Sequence, residues 1–254
     1  MIDKQPVRIA GMFDAIAGVY DLLNFLLSAG RDRMWRRRAV ASLRLTGRET
    51  VLDICTGTAD LAVAALSGQP KPRRVIGVDF SEGMIRRAVA KLRREAHGRE
   101  FLLVRGDATR IPVRSDSMNA AMVAFGLRNV ERLSAALEEM HRVLAEGGRV
   151  AILEFAIPDA GLLRTMYLWY FTSVLPVVGR LLSGHRSAYA YLPASVQAFP
   201  PPKDIVALLA AHGFQSVEAV RLTAGIVYLY TGARAADPAA GPLAAAGSLC
   251  DRVL

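Results

Sequence analysis

The stretch that decides the fold is VLDICTGTADLA, residues 51–62, in which an apolar run is followed by a turn and a helix-forming segment. This order predicts a buried strand that leads through a short loop into a helix, the arrangement that places a backbone loop beneath a nucleotide in α/β proteins. A dinucleotide site would require G-x-G-x-x-G here, and a phosphate loop would require G-K-[ST]. The stretch has neither pattern, and it offers one glycine, Gly57, and two carboxylates, Asp53 and Asp60.

Apolar runs and amphipathic segments alternate along the rest of the chain, which is typical of a mostly parallel sheet with helices on both faces. Strands are predicted at 50–55, 74–80, 101–108, 119–125 and 149–155, and the last two, near 215–221 and 225–232, are expected to form an antiparallel pair at the sheet edge. Helices are predicted at 81–95, 131–148 and 201–213. Glycine is common at helix ends. Gly147 and Gly148 are therefore expected to end the helix at 131–148, and Gly213 the helix at 201–213.

Composition excludes several classes of protein. With 254 residues, 52% hydrophobic and 22% charged, the chain can bury a core and is not disordered. Two cysteines cannot build a disulfide framework or a metal site alone, so a reducing, cytoplasmic setting is expected. No signal peptide is expected, and the uncharged stretch 165–179 is shorter than the ~20 residues of a membrane-spanning helix.

The formal net charge of +9 is partly local, because RDRMWRRR at 31–38 contains five arginines. Such a cluster is compatible with nucleic acid, anionic lipid or an acidic ligand. It is equally compatible with a solvated helix face whose long stems pack on the protein. That second interpretation requires no partner, and no nucleic-acid partner is expected.

Acidic residues stand at successive predicted strand ends, where ligands of such sheets collect. They are Asp53, Asp60, Asp79 and Asp107. A pyrophosphate would be repelled there, whereas S-adenosylmethionine offers a ribose, an adenine and positive charge. Asp79, 22 residues after Gly57, is placed to accept hydrogen bonds from both ribose hydroxyls. Asp107, with the backbone at Ala108, is placed to accept a hydrogen bond from the adenine amine. Each single aspartate could instead be a helix cap or a turn residue.

The chain resembles the ubiquinone/menaquinone biosynthesis C-methyltransferases over roughly 12–232. The resemblance rests on MFDAIAGVYDLLNFLLSAGRDRMW at 12–35, FGLRNV at 125–130 and AYAYLPASV at 188–196. It implies a class I S-adenosylmethionine-dependent, Rossmann-like α/β fold with a seven-stranded, mostly parallel sheet. One methyltransferase domain is expected over 1–233, with N-terminal helices at 8–45 and a substrate-covering helical insertion at 160–200. The Ala/Gly/Pro-rich tail at 234–254 is expected to be mobile.

The resemblance implies methyl transfer from S-adenosylmethionine to a ring carbon of a polyprenyl quinol, with demethylmenaquinol as the first candidate. The benzoquinol step of ubiquinone biosynthesis and another small-molecule methyltransferase are alternatives, as is a non-catalytic cofactor sensor. The expected site residues are, for the cofactor, Asp53, Gly57, Thr58, Asp79, Phe80, Asp107, Ala108 and Ala124; for catalysis, Arg128 and Asn129; and for the quinone pocket, Tyr20, Asn24, Tyr189 and Tyr191. No metal is expected.

Arg128 is the first catalytic candidate because its cation would favour a phenolate, although a guanidinium is a poor base. Asn129 could orient the ring hydroxyl or a water molecule. Arg128 could instead form a salt bridge with an acid such as Glu131. Aromatic core packing is the alternative for the tyrosines.

Two positions depart from the family pattern. The family loop is usually G-T-G-D, whereas this chain has Ala59 after Gly57 and Thr58. A Cβ disfavours positive φ, so a negative φ is expected at Ala59, and Ala59→Gly is expected to tighten the cofactor at some cost in helix stability. Ala124 stands where the family often has a serine, so one polar contact to the ligand is expected to be absent.

The segment 161–186 combines aromatic residues such as Tyr167 and Trp169 with three arginines. It is expected to cover the acceptor site and to contact lipid, because a polyprenyl quinol resides in the bilayer. Peripheral contact with the inner face of the cell membrane and homodimer formation are both compatible with the sequence. A buried pair of core helices is the alternative for this segment.

Overall fold

The central sheet of the computed structural model has seven strands, and the structure describes residues 4–18, 20–28, 30–95, 100–158, 161–170, 173 and 186–236. The strands are β1 Thr50–Ile54, β2 Arg74–Asp79, β3 Glu100–Arg105, β4 Met118–Ala124, β5 Leu144–Phe155, β6 Phe214–Leu222 and β7 Val227–Arg234. Their order in the sheet is β3-β2-β1-β4-β5-β7-β6. All neighbours are parallel except β7, which is antiparallel to both β5 and β6. The predicted α/β fold and its antiparallel edge are therefore confirmed.

The described helices lie on both faces of the sheet and before it in the chain. They are α1 Pro6–Ile16, α2 Tyr20–Leu27, α3 Asp32–Ser42, α4 Asp60–Ser67, α5 Glu82–Glu95, α6 Leu133–Val143, α7 Gly161–Trp169, α8 Arg186–Gln197 and α9 Pro202–Ala211. Alternate strand residues face opposite helices, as the period of two requires. Val51, Val75 and Met122 pack with α3, α4 and α5. Leu52 and Ile76 pack on the other face with α6 and α9.

The helix predicted at 131–148 is shorter in the structure, because α6 ends at Val143 and β5 begins at Leu144. Its last carbonyls are satisfied from outside the helix, by the backbone N–H groups of Asp116 and Ser117, each at 3.0 Å. Leu144 is buried and pairs with Met118 on β4. The ladder resumes at residue 149, so Gly147, with φ +69°, belongs to a bulge and not to a helix end. By contrast, α9 ends before Gly213, which has φ +87°, so the helix end predicted there is confirmed.

The N-terminal helices lie against the α4 and α5 side of the sheet. Asp14 of α1 accepts hydrogen bonds from the backbone N–H of Gly83 at 2.8 Å and from Ser81 Oγ. Ser81 Oγ accepts from the N–H of Met84 at 3.1 Å, which confirms the predicted N-cap of α5. Through these contacts α1 is held over the start of α5.

The arginine cluster at 31–38 divides between two environments. Four of its members, Arg31, Arg33, Arg37 and Arg38, are exposed on α3 or just before it, as a solvated helix face would be. Arg36 is buried and forms ion pairs with Asp32 and Asp60. One arginine of the five therefore has a structural role that its neighbours do not share.

No helix among the described residues is long and apolar enough to cross a membrane. The insertion predicted at 160–200 is described only in part, as α7 and α8. Most of the predicted tail lies outside the described residues, and the domain boundaries stay a prediction.

Candidate functional site

A cavity with about 970 Å³ of empty space, its mouth included, opens at the carboxyl ends of β1, β2 and β4. The predicted site residues that line it are Tyr20, Gly57, Asp79, Phe80, Asp107, Ala108, Ala124 and Asn129. The fold thus brings together residues from five separate parts of the chain.

The turn between β1 and α4 forms one wall and has an unusual backbone. Cys55, Gly57 and Ala59 have φ values of +53°, +56° and +69°. The turn is closed by hydrogen bonds from Thr56 N to Val78 O and from Ala59 N to Thr56 O. The negative φ expected at Ala59 is therefore wrong. Ala59 is the N-cap residue of α4, and the tight reversal from strand to helix requires the left-handed conformation despite its Cβ.

Asp79, at the end of β2, is held by backbone donors while it faces the cavity. One carboxylate oxygen accepts the N–H of Gly57 and the other the N–H of Ser81, each at 2.8 Å. Burial raises the pKa of Asp79 above its usual range, and these two hydrogen bonds oppose that change. Each carboxylate oxygen has a second lone pair, so Asp79 can still accept hydrogen bonds from a ligand.

Asp107 and Ala108 lie together in the loop after β3 and line the cavity. Asp107 Oδ1 accepts from the backbone N–H of Thr109 at 2.8 Å and from its hydroxyl at 2.9 Å. Through these hydrogen bonds Asp107 stabilises the turn after β3, which was the alternative role for it in the sequence analysis. The same bonds orient its carboxylate at the cavity wall. Phe80 follows Asp79 on the same wall, with the Arg105 guanidinium 6.0 Å from its ring centre.

Asp53 is the first site prediction that the structure places elsewhere, because it does not line the cavity. Its side chain is buried, and Oδ2 accepts both the Thr56 hydroxyl at 2.5 Å and the Ala62 N–H at 3.1 Å. Burial raises the pKa of Asp53 to about 7. Asp53 therefore ties β1 to the start of α4 from behind the loop.

Asp60 and Thr58 also point away from the cavity, into a charge network that joins four helices. Asp60 pairs with Arg36 at 3.1 Å and with Lys91 of α5 at 2.6 Å, and these cations lower its pKa against the effect of burial. The Thr58 hydroxyl donates to Asp21 of α2 at 2.5 Å, and Lys91 pairs with the same aspartate. The loop 55–62 contains no basic residue, but distant helices supply the compensating charge.

Arg128 is buried in an ion pair and does not line the cavity. Its partner is Glu154 on β5, at 2.8 Å and with no exposed surface, and not the adjacent Glu131. Arg128 Nη1 also donates to the Phe125 carbonyl, and the guanidinium carbon lies 5.4 Å from the Phe155 ring centre. The hydrogen bonds to Phe125 and Glu154 both use Nη1 of the guanidinium group, while Nε has no hydrogen-bond partner among the described residues.

Several buried polar atoms around this ion pair lack a hydrogen-bond partner in the part of the chain that the structure describes. They include Asn24 Nδ2, Asn129 Oδ1 and the Tyr191 hydroxyl. Buried polar groups are normally satisfied, so such a group of atoms indicates a place for ligand or water. The side chain of Tyr189 lies outside the described residues.

The cavity also has lining residues that the sequence analysis did not select. Lys4, Ile9 and Phe13 reach it from the N-terminal segment, and Glu131 and Arg132 from the start of the loop before α6. Phe13 lies within the N-terminal block of the resemblance, which could have indicated it. Lys4 precedes that block, and no pattern in the sequence distinguishes it from a surface lysine.

Comparison with known proteins places these features in a family. Residues 1–234 match the ubiE/COQ5 methyltransferase family. The demethylmenaquinone methyltransferase of Thermus thermophilus is 44% identical over 223 residues, which cover 88% of this chain and 100% of that protein. The ubiquinone/menaquinone biosynthesis C-methyltransferase UbiE of Syntrophotalea carbinolica is also 44% identical, over 88% of this chain and 92% of its own length.

Solved structures agree on the fold. A Thermotoga maritima protein described as an S-adenosylmethionine-dependent methyltransferase, possible histamine N-methyltransferase, superposes with a TM-score of 0.59 at 18% identity. The superposition covers 88% of this chain and 99% of that one. At this identity the likeness concerns the Rossmann-like methyltransferase fold alone, and that fold was predicted from the sequence.

Proposed function

Because the chain belongs to the ubiE/COQ5 methyltransferase family, we propose that it methylates a ring carbon of a reduced polyprenyl quinone, with demethylmenaquinol as substrate. The names of its relatives at 40–44% identity support this acceptor class. The structural observation that carries the proposal is the cavity, in which Asp79 and Asp107 stand at neighbouring strand ends while Asn129 of the FGLRNV motif faces the same space.

The cavity residues fit S-adenosylmethionine. Asp79 can accept hydrogen bonds from ribose hydroxyls, and Asp107 with Ala108 lies one strand further along, where the adenine would follow. Asp79, Asp107 and Glu131 favour a cationic ligand over a pyrophosphate. Gly126 contributes to the fit, since a Cβ there would lie 2.4 Å from the Cβ of Cys55. The backbone of the two turns can therefore approach each other closely.

When bound, S-adenosylmethionine supplies a sulfonium-activated methyl group that a ring carbon accepts, the carbon–sulfur electron pair remaining on sulfur while the ring loses one proton. The protein's contribution is mainly alignment, which can be worth ~7–11 kcal/mol. Asn129 can orient a ring hydroxyl. The Arg128–Glu154 pair fixes the turn that carries Asn129, because both the side chain and the backbone N–H of Arg128 bind Glu154.

Peripheral contact with an anionic membrane belongs to the same proposal, since the acceptor has a prenyl tail. Helices α1, α2, α3 and α7 carry exposed apolar side chains: Val7, Phe25, Met34, Met166 and Trp169. The net charge of +9 favours an anionic surface. A cytoplasmic location, on the inner face of the cell membrane, is part of this proposal.

The direct test is transfer of labelled methyl from S-adenosylmethionine to a short-tailed demethylmenaquinol, with the benzoquinol analogue in parallel. Asp79→Ala should weaken cofactor binding by about 2–4 kcal/mol, because charge-assisted hydrogen bonds are lost. Asp204→Ala, which removes an exposed aspartate of α9, is the matched control and should bind normally. No transfer to either quinol by the wild type would refute the proposed function, and unchanged calorimetric affinity in Asp79→Ala would refute the assignment of the ribose site.

A further inference from the structure

Two cations line the cavity: Arg132, which donates to the Thr109 hydroxyl beside Asp107, and Lys4. Lys4 lies just before α1, lines the cavity together with Asn129, and is partly buried. In the described part of the chain no carboxylate is within ion-pairing distance of it. Burial lowers the pKa of Lys4, as expected for an ammonium group without a close counterion. A ligand that supplies negative charge would therefore be favourable beside this half-buried ammonium group.

The position of Lys4 along the sheet identifies which part of the ligand it meets. The charges that act on it most are those of Glu154, at the end of β5, and Arg128, in the turn after β4. Asp79 and Asp107 follow β2 and β3, on the other side of β1 in the strand order. Because Glu154 and Arg128 act on Lys4 while Asp79 and Asp107 do not figure among its main electrostatic partners, Lys4 lies nearer the ends of β4 and β5 than those of β2 and β3.

Near the ends of β4 and β5, Lys4 supplies the unbalanced positive charge. Arg128 and Glu154 neutralise each other at 2.8 Å, and both are buried. A neutral pair stabilises an anion less than an isolated cation does at a similar distance. Arg128 also does not line the cavity, so the structure favours a different group for contact with an anionic acceptor.

The element that carries Lys4 is anchored to the cofactor side of the site. Ile9 and Phe13 of α1 line the same cavity, and Asp14 binds the N-terminal end of α5, which begins three residues after Asp79. The contacts of α1 thus hold Ile9, Phe13 and the preceding Lys4 at the cavity wall.

We propose that the Lys4 ammonium group binds the oxygen anion formed when a hydroxyl of the acceptor ring loses its proton to water. This inference rests on the proposed function. The anion donates electron density to the ring carbon, that carbon bonds to the methyl group, and sulfur keeps the electron pair of the broken bond. The ring carbon then loses its proton as the oxygen regains one, so one proton is released overall. Lys4 thereby acts on the acceptor and not on the cofactor.

The test compares wild type, Lys4→Gln, Lys4→Arg and the control Lys203→Gln, which removes an exposed lysine of α9. Lys4→Gln should lower kcat for the quinol about 10–100-fold, while the Kd of S-adenosylhomocysteine changes less than twofold. Lys4→Arg should recover much of the activity because the charge is retained, and Lys203→Gln should match wild type.

Two further measurements separate this inference from its rivals. If Lys4→Gln weakens S-adenosylhomocysteine but not 5′-methylthioadenosine, which lacks the carboxylate, Lys4 binds the methionine carboxylate and the inference is overturned. The second measurement uses 4-nitro-1-naphthol, whose anion absorbs visible light, bound to protein saturated with S-adenosylhomocysteine. Wild type should lower the pKa of the bound probe and Lys4→Gln should not. An equal pKa of the probe in wild type and Lys4→Gln overturns the inference, even if the quinol is not the substrate. Absence of methyl transfer by wild type refutes only the proposed function.

Discussion

Asp53 is a residue of β1 whose carboxyl group has a structural role beside a loop that is expected to bind a cofactor. Its Oδ2 accepts two hydrogen bonds inside the protein, and no part of it faces the cavity. Desolvation outweighs those bonds, which is why its pKa rises to about 7. The group is therefore a source of pH-dependent stability.

Replacing Asp53 with asparagine should remove that pH dependence. A carboxyl whose pKa is higher in the folded state contributes stability that is complete below about pH 4 and is lost as the pH rises through about 7. The amide oxygen of the new side chain could still accept both hydrogen bonds, so Asp53→Asn should gain stability relative to wild type between pH 4 and pH 8. Urea unfolding at both pH values measures this. Asp204→Asn is the exposed control, and a difference between Asp53→Asn and wild type that does not change with pH would contradict the prediction.

Ala59→Gly should stabilise the protein, the reverse of the effect expected from the sequence. Ala59 has φ +69° at the N-cap of α4, where a glycine avoids the strain of a left-handed Cβ and caps better than alanine. After the loss of one buried methyl group, the net gain should be about 0.5–1 kcal/mol in the free energy of unfolding. Ala64→Gly, inside α4, should instead destabilise by about 1 kcal/mol. Destabilisation by both substitutions would show that the loop tolerates alanine without strain.

At the scale of elements, the site depends on the close approach of two turns, one after β1 and one after β4. A Cβ added to Gly126 would lie 2.4 Å from the Cβ of Cys55 and 3.3 Å from Val123 Cγ2. Both turns line the cavity. Their separation therefore determines the width of the site where the methyl donor would lie.

A double-mutant cycle can measure this approach. Gly126→Ala should destabilise by about 1–3 kcal/mol, because the two turns must separate. Cys55→Gly removes the opposing Cβ and suits the φ of +53° at that position. Gly126→Ala should therefore cost much less in the Cys55→Gly background. Equal cost in the two backgrounds, measured by urea unfolding, would show that the turns do not constrain each other.

At the scale of the whole molecule, the N-terminal helices and the helices inserted between β5 and β6 meet in a separate apolar cluster. Ile16 of α1 packs with Tyr20, Tyr170 and Leu192. Tyr167 is buried beside Val196, whereas Trp169 and Met166 are 62% and 57% exposed. Tyr167 and Trp169, grouped together from the sequence, therefore differ, and Tyr167 is a core residue.

A Met166→Ser, Trp169→Ser double variant should lose binding to anionic vesicles while it folds and binds S-adenosylmethionine normally. The reason is that exposed apolar side chains can enter a bilayer interface without disturbing the core. Sedimentation with vesicles measures it. The control is Leu102→Ser, Val220→Ser, two exposed apolar residues on β3 and β6. Equal sedimentation of both double variants would remove α7 from the membrane proposal.

The sequence by itself determined the order of strands and helices and the positions of Asp79 and Asp107. These depend on local patterns: a period of two in strands, capping residues such as Ser81, and the rule that parallel strands end at one edge. The motif FGLRNV, through the family resemblance, likewise predicted Asn129, which lines the same cavity as Asp79 and Asp107. Such features are encoded within a few consecutive residues, so they can be derived before the fold is known.

Only the tertiary structure decided which partner each charge has. Glu154 pairs with Arg128 across 26 residues, Lys91 reaches Asp60 across 31, and Asp53 turns inward while Asp79 faces the cavity. It also decided the conformation of Ala59 and the presence of Lys4 in the site. The physical reason is that electrostatic partners and backbone strain depend on which distant elements meet in the folded chain. Residues that are close in the sequence do not by themselves indicate which distant elements will be in contact.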